Sequence, residues 1–112
     1  MKIVLYKLYN TATGKWNAGA DHWTSVGKCW NQRNHLTTKL TQYALWQVSM
    51  FSHRGYPPPD NTITREERRY YENKENRKAL YKRFIPETWV VIEITENGAR
   101  ELCKAQDWLS LK

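Results

Sequence analysis

Five side chains could supply nucleophilic, acid–base or soft-metal chemistry: Cys29, Cys103, His22, His35 and His53. A thiolate nucleophile needs a base beside it to take its proton. A structural zinc site needs four thiolate or imidazole ligands at short, repeated spacing. The chain has no Cys-x-x-Cys and no His-x-x-x-His, and Cys29 with His22 and His35 lacks the spacing of any structural zinc site. The cysteines read instead as half-buried reduced thiols, and solvation accounts for His35 in the first turn of a predicted helix. Gly14, Gly19 and Gly27 are too scattered to cradle a phosphate, and neither Gly-Lys-Ser nor Gly-Lys-Thr occurs. The expectation is a chain with no catalytic residues, no metal and no cofactor.

A second constellation combines positive charge with aromatic rings. Residues 65–83 hold Arg65, Arg68, Arg69, Lys74, Arg77, Lys78, Lys82 and Arg83 against Glu66, Glu67, Glu72 and Glu75, a net +4. Tyr70 and Tyr71 stand among the arginines. Neighbouring side chains on a helix point about 100° apart, so both rings cannot enter one core, and at least one is expected outside. An exposed ring beside guanidinium groups can stack on a base or anchor in a protein pocket. Tyr56, ahead of Pro57-Pro58-Pro59, adds an aromatic tip to a stiff loop. The expected partner-binding residues are Tyr56, Arg65, Arg68, Arg69, Tyr70, Tyr71, Lys74, Arg77, Lys78 and Lys82. The same charge pattern also describes an ordinary solvated helix with pairs at i, i+4.

These residues need a frame. Lys2–Tyr9 is rich in β-formers and predicts a strand; Asn10–Gly14 predicts a turn, and Lys15–Ala18 a short return strand. His22–Thr24 and Gly27–Trp30 are candidates for a third. Leu36, Leu40, Tyr43, Ala44, Val48 and Phe51 recur at helical spacing and predict a helix over 34–51 with Asn34 as its cap. Thr64 with Glu67 matches a capping box, which opens a charged helix over 65–83. Ile85-Pro86 ends that helix. Thr88–Thr95 predicts a strand with Val90, Ile92 and Ile94 on one side and Trp89, Val91 and Glu93 on the other. A short helix over about 98–106 is expected to close the chain. The class is α+β: a small, mainly antiparallel sheet of the N-terminal hairpin and the late strand, with about three helices packed on it. The last strand is placed beside the first, with Lys7 facing Glu93. The whole of 1–112 is one domain, and 52–84 reads as an inserted proline-rich loop and charged helix.

Length and charge narrow the partners. A chain of 112 residues can build one core. Six Trp and seven Tyr are mostly core filling, but those in polar surroundings read as contact residues. The net charge of +7 attracts nucleic acid, anionic lipid or an acidic protein face. Nowhere do 18 apolar residues run together, so no membrane span is expected. Met1-Lys2 leads directly into an alternating segment without signal-peptide character, and a cytoplasmic location is expected.

Two resemblances bear on function. Tyr6-x-Leu8-x-Asn10, Thr13-Gly14-Lys15, Trp16 and Gly19 resemble the first hairpin of the GIY-YIG nucleases. Such an enzyme would use a second tyrosine on the return strand, which here reads Trp16-Asn17-Ala18-Gly19, and a helix arginine, for which Arg33 stands early. Tyr9-Asn10-x-x-Thr13-Gly14-x-Trp16, Gly19, Trp23-Thr24 and Gly27-Lys28-x-Trp30, with Leu36 and Leu40, resemble a module of small tailed-phage accessory proteins over about residues 3–45. That resemblance implies a host-directed or counter-defence factor that binds its target stoichiometrically. The four glutamates dilute a phosphate-binding stripe, and mixed charge with aromatics fits a protein face. The leading expectation is therefore a non-catalytic inhibitor of a host or defence-system protein. Direct nucleic-acid binding through the Tyr/Arg helix follows, then a nuclease. The oligomeric state is open.

Overall fold

The computed structural model describes residues 4–19, 22–51 and 63–110. In chain order these form β1 (Leu5–Asn10), β2 (Lys15–Asn17), β3 (Trp23–Thr24), α1 (Arg33–Phe51), α2 (Arg65–Glu72), α3 (Arg77–Phe84), β4 (Trp89–Thr95) and β5 (Gly98–Lys104). A 3-10 turn at Lys74–Asn76 joins α2 to α3, and another at Ala105–Ser110 follows β5. The strands make one antiparallel sheet in the order β3-β2-β1-β4-β5, which together with the helices gives the expected α+β class.

β1 is central because its alternation serves both sides of the sheet. Tyr6 and Leu8 are buried with the helices, while Leu5, Lys7 and Tyr9 point to the opposite face and stay half-buried. In the turn after β1 the Ala12 N–H donates to Asn10 Oδ1 at 3.0 Å and the Gly14 N–H to the Asn10 carbonyl at 2.8 Å. Gly27 lies where β2 returns against the next segment, with φ +76° and the Lys28 N–H donating to the Asn17 carbonyl at 2.8 Å. A Cβ at position 27 would overlap that of Trp16 and lie 3.0 Å from the Asn17 carbonyl oxygen, so only glycine fits.

β4 lies beside β1 as expected, but Glu93 pairs with Tyr6, and Lys7 pairs with Ile92. The core row decides this. Leu8 and Val91 are opposite one another and almost fully buried, and a shift of one residue would turn both sets of side chains over. The segment expected to be a closing helix is instead β5, paired with β4 from Thr95↔Gly98 to Val90↔Lys104. Gly98, at φ +113°, closes a tight hairpin after Asn97. Hydrogen bonding to the open edge of β4 outweighs the weak helical preference of Ala99–Lys104. A bulge between Val91 and Ile92 sends both Leu102 and Cys103 toward the core.

Most of the expected helical stripe faces the core, with Tyr43 half-buried against it, while the Phe51 side chain lies outside the described residues. Leu36, Leu40, Ala44 and Val48 have no exposed surface, and Leu80, Tyr81 and Phe84 of α3 complete the layer. A polar clamp joins the helices. The Tyr81 hydroxyl donates to the Thr37 carbonyl at 2.9 Å and accepts from Thr41 at 2.6 Å. Trp108 Nε1 donates to Thr37 Oγ1 at 2.8 Å, and that hydroxyl donates to the Arg33 carbonyl at 3.0 Å. Burial holds the Tyr81 phenol above its ordinary pKa and keeps it a neutral donor.

The charged helix expected over 65–83 is broken. Asn73 leaves the helical region at ψ 129°, and its side chain accepts the Glu75 N–H at 2.9 Å. Asparagine competes with the helical ladder in this way, and the break lets α3 turn its apolar face into the core.

Two substitutions test this frame by urea denaturation. Leu40→Ala should cost about 2–5 kcal/mol through lost burial and the cavity left behind. Gly27→Ala should cost more than the roughly 1–2 kcal/mol of a left-handed residue, because backbone must also move.

Candidate functional site

The break at Asn73 determines what the charged segment presents. α2 begins with the expected capping box: the Glu67 N–H donates to Thr64 Oγ1 and the Thr64 N–H to Glu67 Oε1, both at 3.1 Å. The other Glu67 oxygen accepts from Arg83 Nη1 at 2.8 Å, and the same guanidinium nitrogen donates to the Tyr71 hydroxyl at 3.0 Å. Arg83 also lies over the Tyr71 ring at 5.2 Å, and Tyr71 meets Phe84 edge-on at 5.1 Å. One arginine of α3 therefore ties the first turn of α2 to its last. At the far end Asn76 Nδ2 donates to the Tyr70 carbonyl at 2.9 Å. α2 has no buried residue of its own, so these ties hold it in place.

The two tyrosines separate as adjacent helical residues must. Tyr71 packs on the core, while Tyr70, 5.2 Å from it in edge contact, remains 49% exposed. Arg65, Arg69, Lys74 and Lys78 are exposed and form no ion pair among the described residues. Arg68 donates to Glu72 at 3.2 Å within its own helix. Lys82 is 3.7 Å from Asp107, so its charge is directed to the C-terminal 3-10 turn and away from Tyr70. Arg77 is half-buried, and its Nη1 is enclosed without a hydrogen-bond partner. Tyr56 lies outside the described residues. Of the expected set, Arg65, Arg69, Tyr70, Lys74 and Lys78 supply exposed side chains free of the internal ties that hold Arg68, Tyr71 and Lys82.

Charge follows the same geometry. The Arg83 hydrogen bond, with the Thr64 N–H, holds the Glu67 carboxyl below its ordinary pKa. Tyr71 and Glu67 raise the Arg83 guanidinium further above its own. Both side chains are 40% exposed, so solvent screens the pair; its value lies in placing the helix.

Two further features stand apart from the charged segment. Trp46 on α1 is 49% exposed, its ring 6.4 Å from Tyr43, which lies 4.5 Å from Trp89. It sits two residues past Ala44, about 200° around the helix from the buried stripe, and that offset was the available signal. Cys29 and His35 line one open groove of about 380 Å³ with Lys28, Trp30, Asn31 and Thr38. No hydrogen bond links the thiol to the imidazole, and no group of three or more metal-ligating residues occurs among the described residues. The residues of the nuclease resemblance divide between faces. Tyr6 and Arg33 both lie against Trp108, at 5.6 and 4.9 Å, whereas Trp16 pairs with Tyr9 on the other side of the sheet. No described helix is long and apolar enough to cross a membrane.

No protein-family model, curated protein or solved structure matches the chain.

The depressed Glu67 pKa gives a signed prediction. A carboxylate whose pKa is lowered by folding contributes stability above its unfolded value, and that stability is lost as pH falls through the folded value. Amide protection in Arg65–Glu72, taken relative to the intrinsic exchange rate at each pH, should fall on acidification before protection in α1 does. Glu67→Gln should remove that pH dependence. Unchanged acid sensitivity in this variant would show that Glu67 does not hold α2.

Proposed function

We propose that this protein is a non-catalytic, phage-type host-directed or counter-defence factor that inhibits a host protein by stoichiometric binding through α2 and the Lys74–Asn76 turn. The observation that carries this reading is the exposed Tyr70 ring on a helix tied down at both ends. An aromatic anchor whose backbone is already ordered loses little entropy on binding, and tyrosine with arginine is the usual composition of an interface hot spot. Arg69 precedes Tyr70 on α2, Lys74 lies in the turn that follows the helix, and Glu66 is one helical turn before the ring; all are exposed, so the segment offers both signs of charge to a partner. The phage-type origin is supported by the resemblance over about residues 3–45.

A second reading has its own observation. Arg65, Arg69, Lys74 and Lys78 are exposed without ion pairs, and that surplus would favour a polyanion stacked on Tyr70. Only Glu66 and Glu75 are similarly unpaired among the acidic residues of the segment, so charge alone does not choose between the readings.

Affinity capture from bacterial lysate with and without nuclease treatment separates them. A single stoichiometric protein retained after nuclease is the expected result, and Arg69→Glu with Tyr70→Ala should abolish it while the thermal midpoint moves little. Neither residue is buried, so unfolding of that variant would make the helix structural and defeat the proposal. Recovery that depends on nucleic acid and weakens steeply with salt would favour the second reading.

A further inference from the structure

The sheet has a second face that the helices leave uncovered. Its side chains lie in rows across β1, β4 and β5: Leu5–Ile94–Ala99, Lys7–Ile92–Glu101 and Tyr9–Val90–Lys104. Leu5, Tyr9, Ile92 and Ile94 are half-buried and Val90 is already buried, while Ala99, Glu101 and Lys104 are exposed. Lys7 donates to the Val26 carbonyl and lies 4.6 Å over Trp16, but it forms no ion pair among the described residues; nor does Glu101, whose charge reaches Lys104 only at longer range.

We infer that this face binds a second copy of the chain, sheet against sheet, about a two-fold axis that runs parallel to β4 over Ile92. Such an axis keeps each row in place and exchanges its ends. Strands sit about 4.8 Å apart, so the residue of β1 then faces the residue of β5 in the partner. Lys7 meets Glu101, and Ile92 meets its own copy. In the flanking rows the large Leu5 meets the small Ala99, and the Tyr9 ring meets the Lys104 ammonium. All three rows are thus self-complementary in charge or size, as an isologous interface requires. An axis perpendicular to the strands would instead oppose Lys7 with Lys7. Strands aligned in this way match the usual packing of two sheets. A nucleic acid fits the face less well, because Glu101 and the Lys104–Glu87 pair at 2.9 Å cancel its positive charge.

Sedimentation of the full chain over a range of concentrations should show a reversible dimer. Lys7→Glu and Glu101→Lys each create like-charged pairs and should weaken it roughly tenfold or more. Mixing the two variants should restore wild-type association, since opposite charges then meet again. Glu101 is an exposed edge residue, so Glu101→Lys alone carries the test if Lys7→Glu fails to fold. A wild-type chain that stays monomeric overturns the inference. So does a dimer that resists Glu101→Lys, a mixture that does not recover, or a monomer that dimerises only with added single-stranded oligonucleotide.

Discussion

Leu36, Leu40, Ala44 and Val48 lie along one line of α1 with no surface left to water, and Leu8 and Val91 of the sheet are almost equally enclosed. Removing this apolar area from water is the dominant favourable contribution to folding, and it constrains the rest. With Leu8 and Val91 required inside, β1 and β4 have one acceptable register. With α1 fixed over that row, Thr37 and Thr41 present the polar groups that receive Tyr81 and Trp108. α3 and the C-terminal turn dock where those hydrogen bonds can form. Gln106 then closes the end of α3 by donating to the Lys82 and Ile85 carbonyls at 3.1 and 2.7 Å.

α2 stands outside this economy of burial. No side chain of α2 is buried, and it is kept in place by a capping box, one arginine and the partial burial of Tyr71. A helix held by polar ties keeps its outer surface available, which a helix anchored by its own apolar stripe would partly consume. Arg83 is therefore better understood as a positioning residue than as a contact for a partner: its Nη1 donates to both Glu67 and Tyr71. The side chains that hold α2 and those that face outward are thus different residues.

The sheet shows the same division on a larger scale. Strand alternation sends Tyr6, Leu8, Trp89 and Val91 to the helices, and it necessarily sends Leu5, Lys7, Tyr9, Val90, Ile92 and Ile94 the other way. Both sets are largely apolar. A sheet with one solvated face usually alternates apolar with polar residues, and β4 does not: Val90, Val91 and Ile92 run consecutively.

Much of the frame was legible in the sequence because it depends on local chemistry or on simple periods. The Leu36–Val48 stripe, the turn at Gly14, the capping box at Thr64 and the alternation of Trp89–Thr95 each follow from neighbouring residues, as did the expectation that one of Tyr70 and Tyr71 would be exposed. Other features depended on distant partners. Ala99–Lys104 became a strand because β4 offered a free hydrogen-bonding edge, which no local pattern encodes. The pairing of Lys7 with Ile92 was set by Leu8 and Val91, and the break at Asn73 serves the burial of Leu80 and Tyr81 against α1. The composition of the candidate surface was thus written in residues 65–78, but its shape was not. Which arginine holds the helix and which faces outward was decided only when α3 folded back and brought Arg83 to Glu67, since hydrogen-bond geometry between segments exists only in the folded chain.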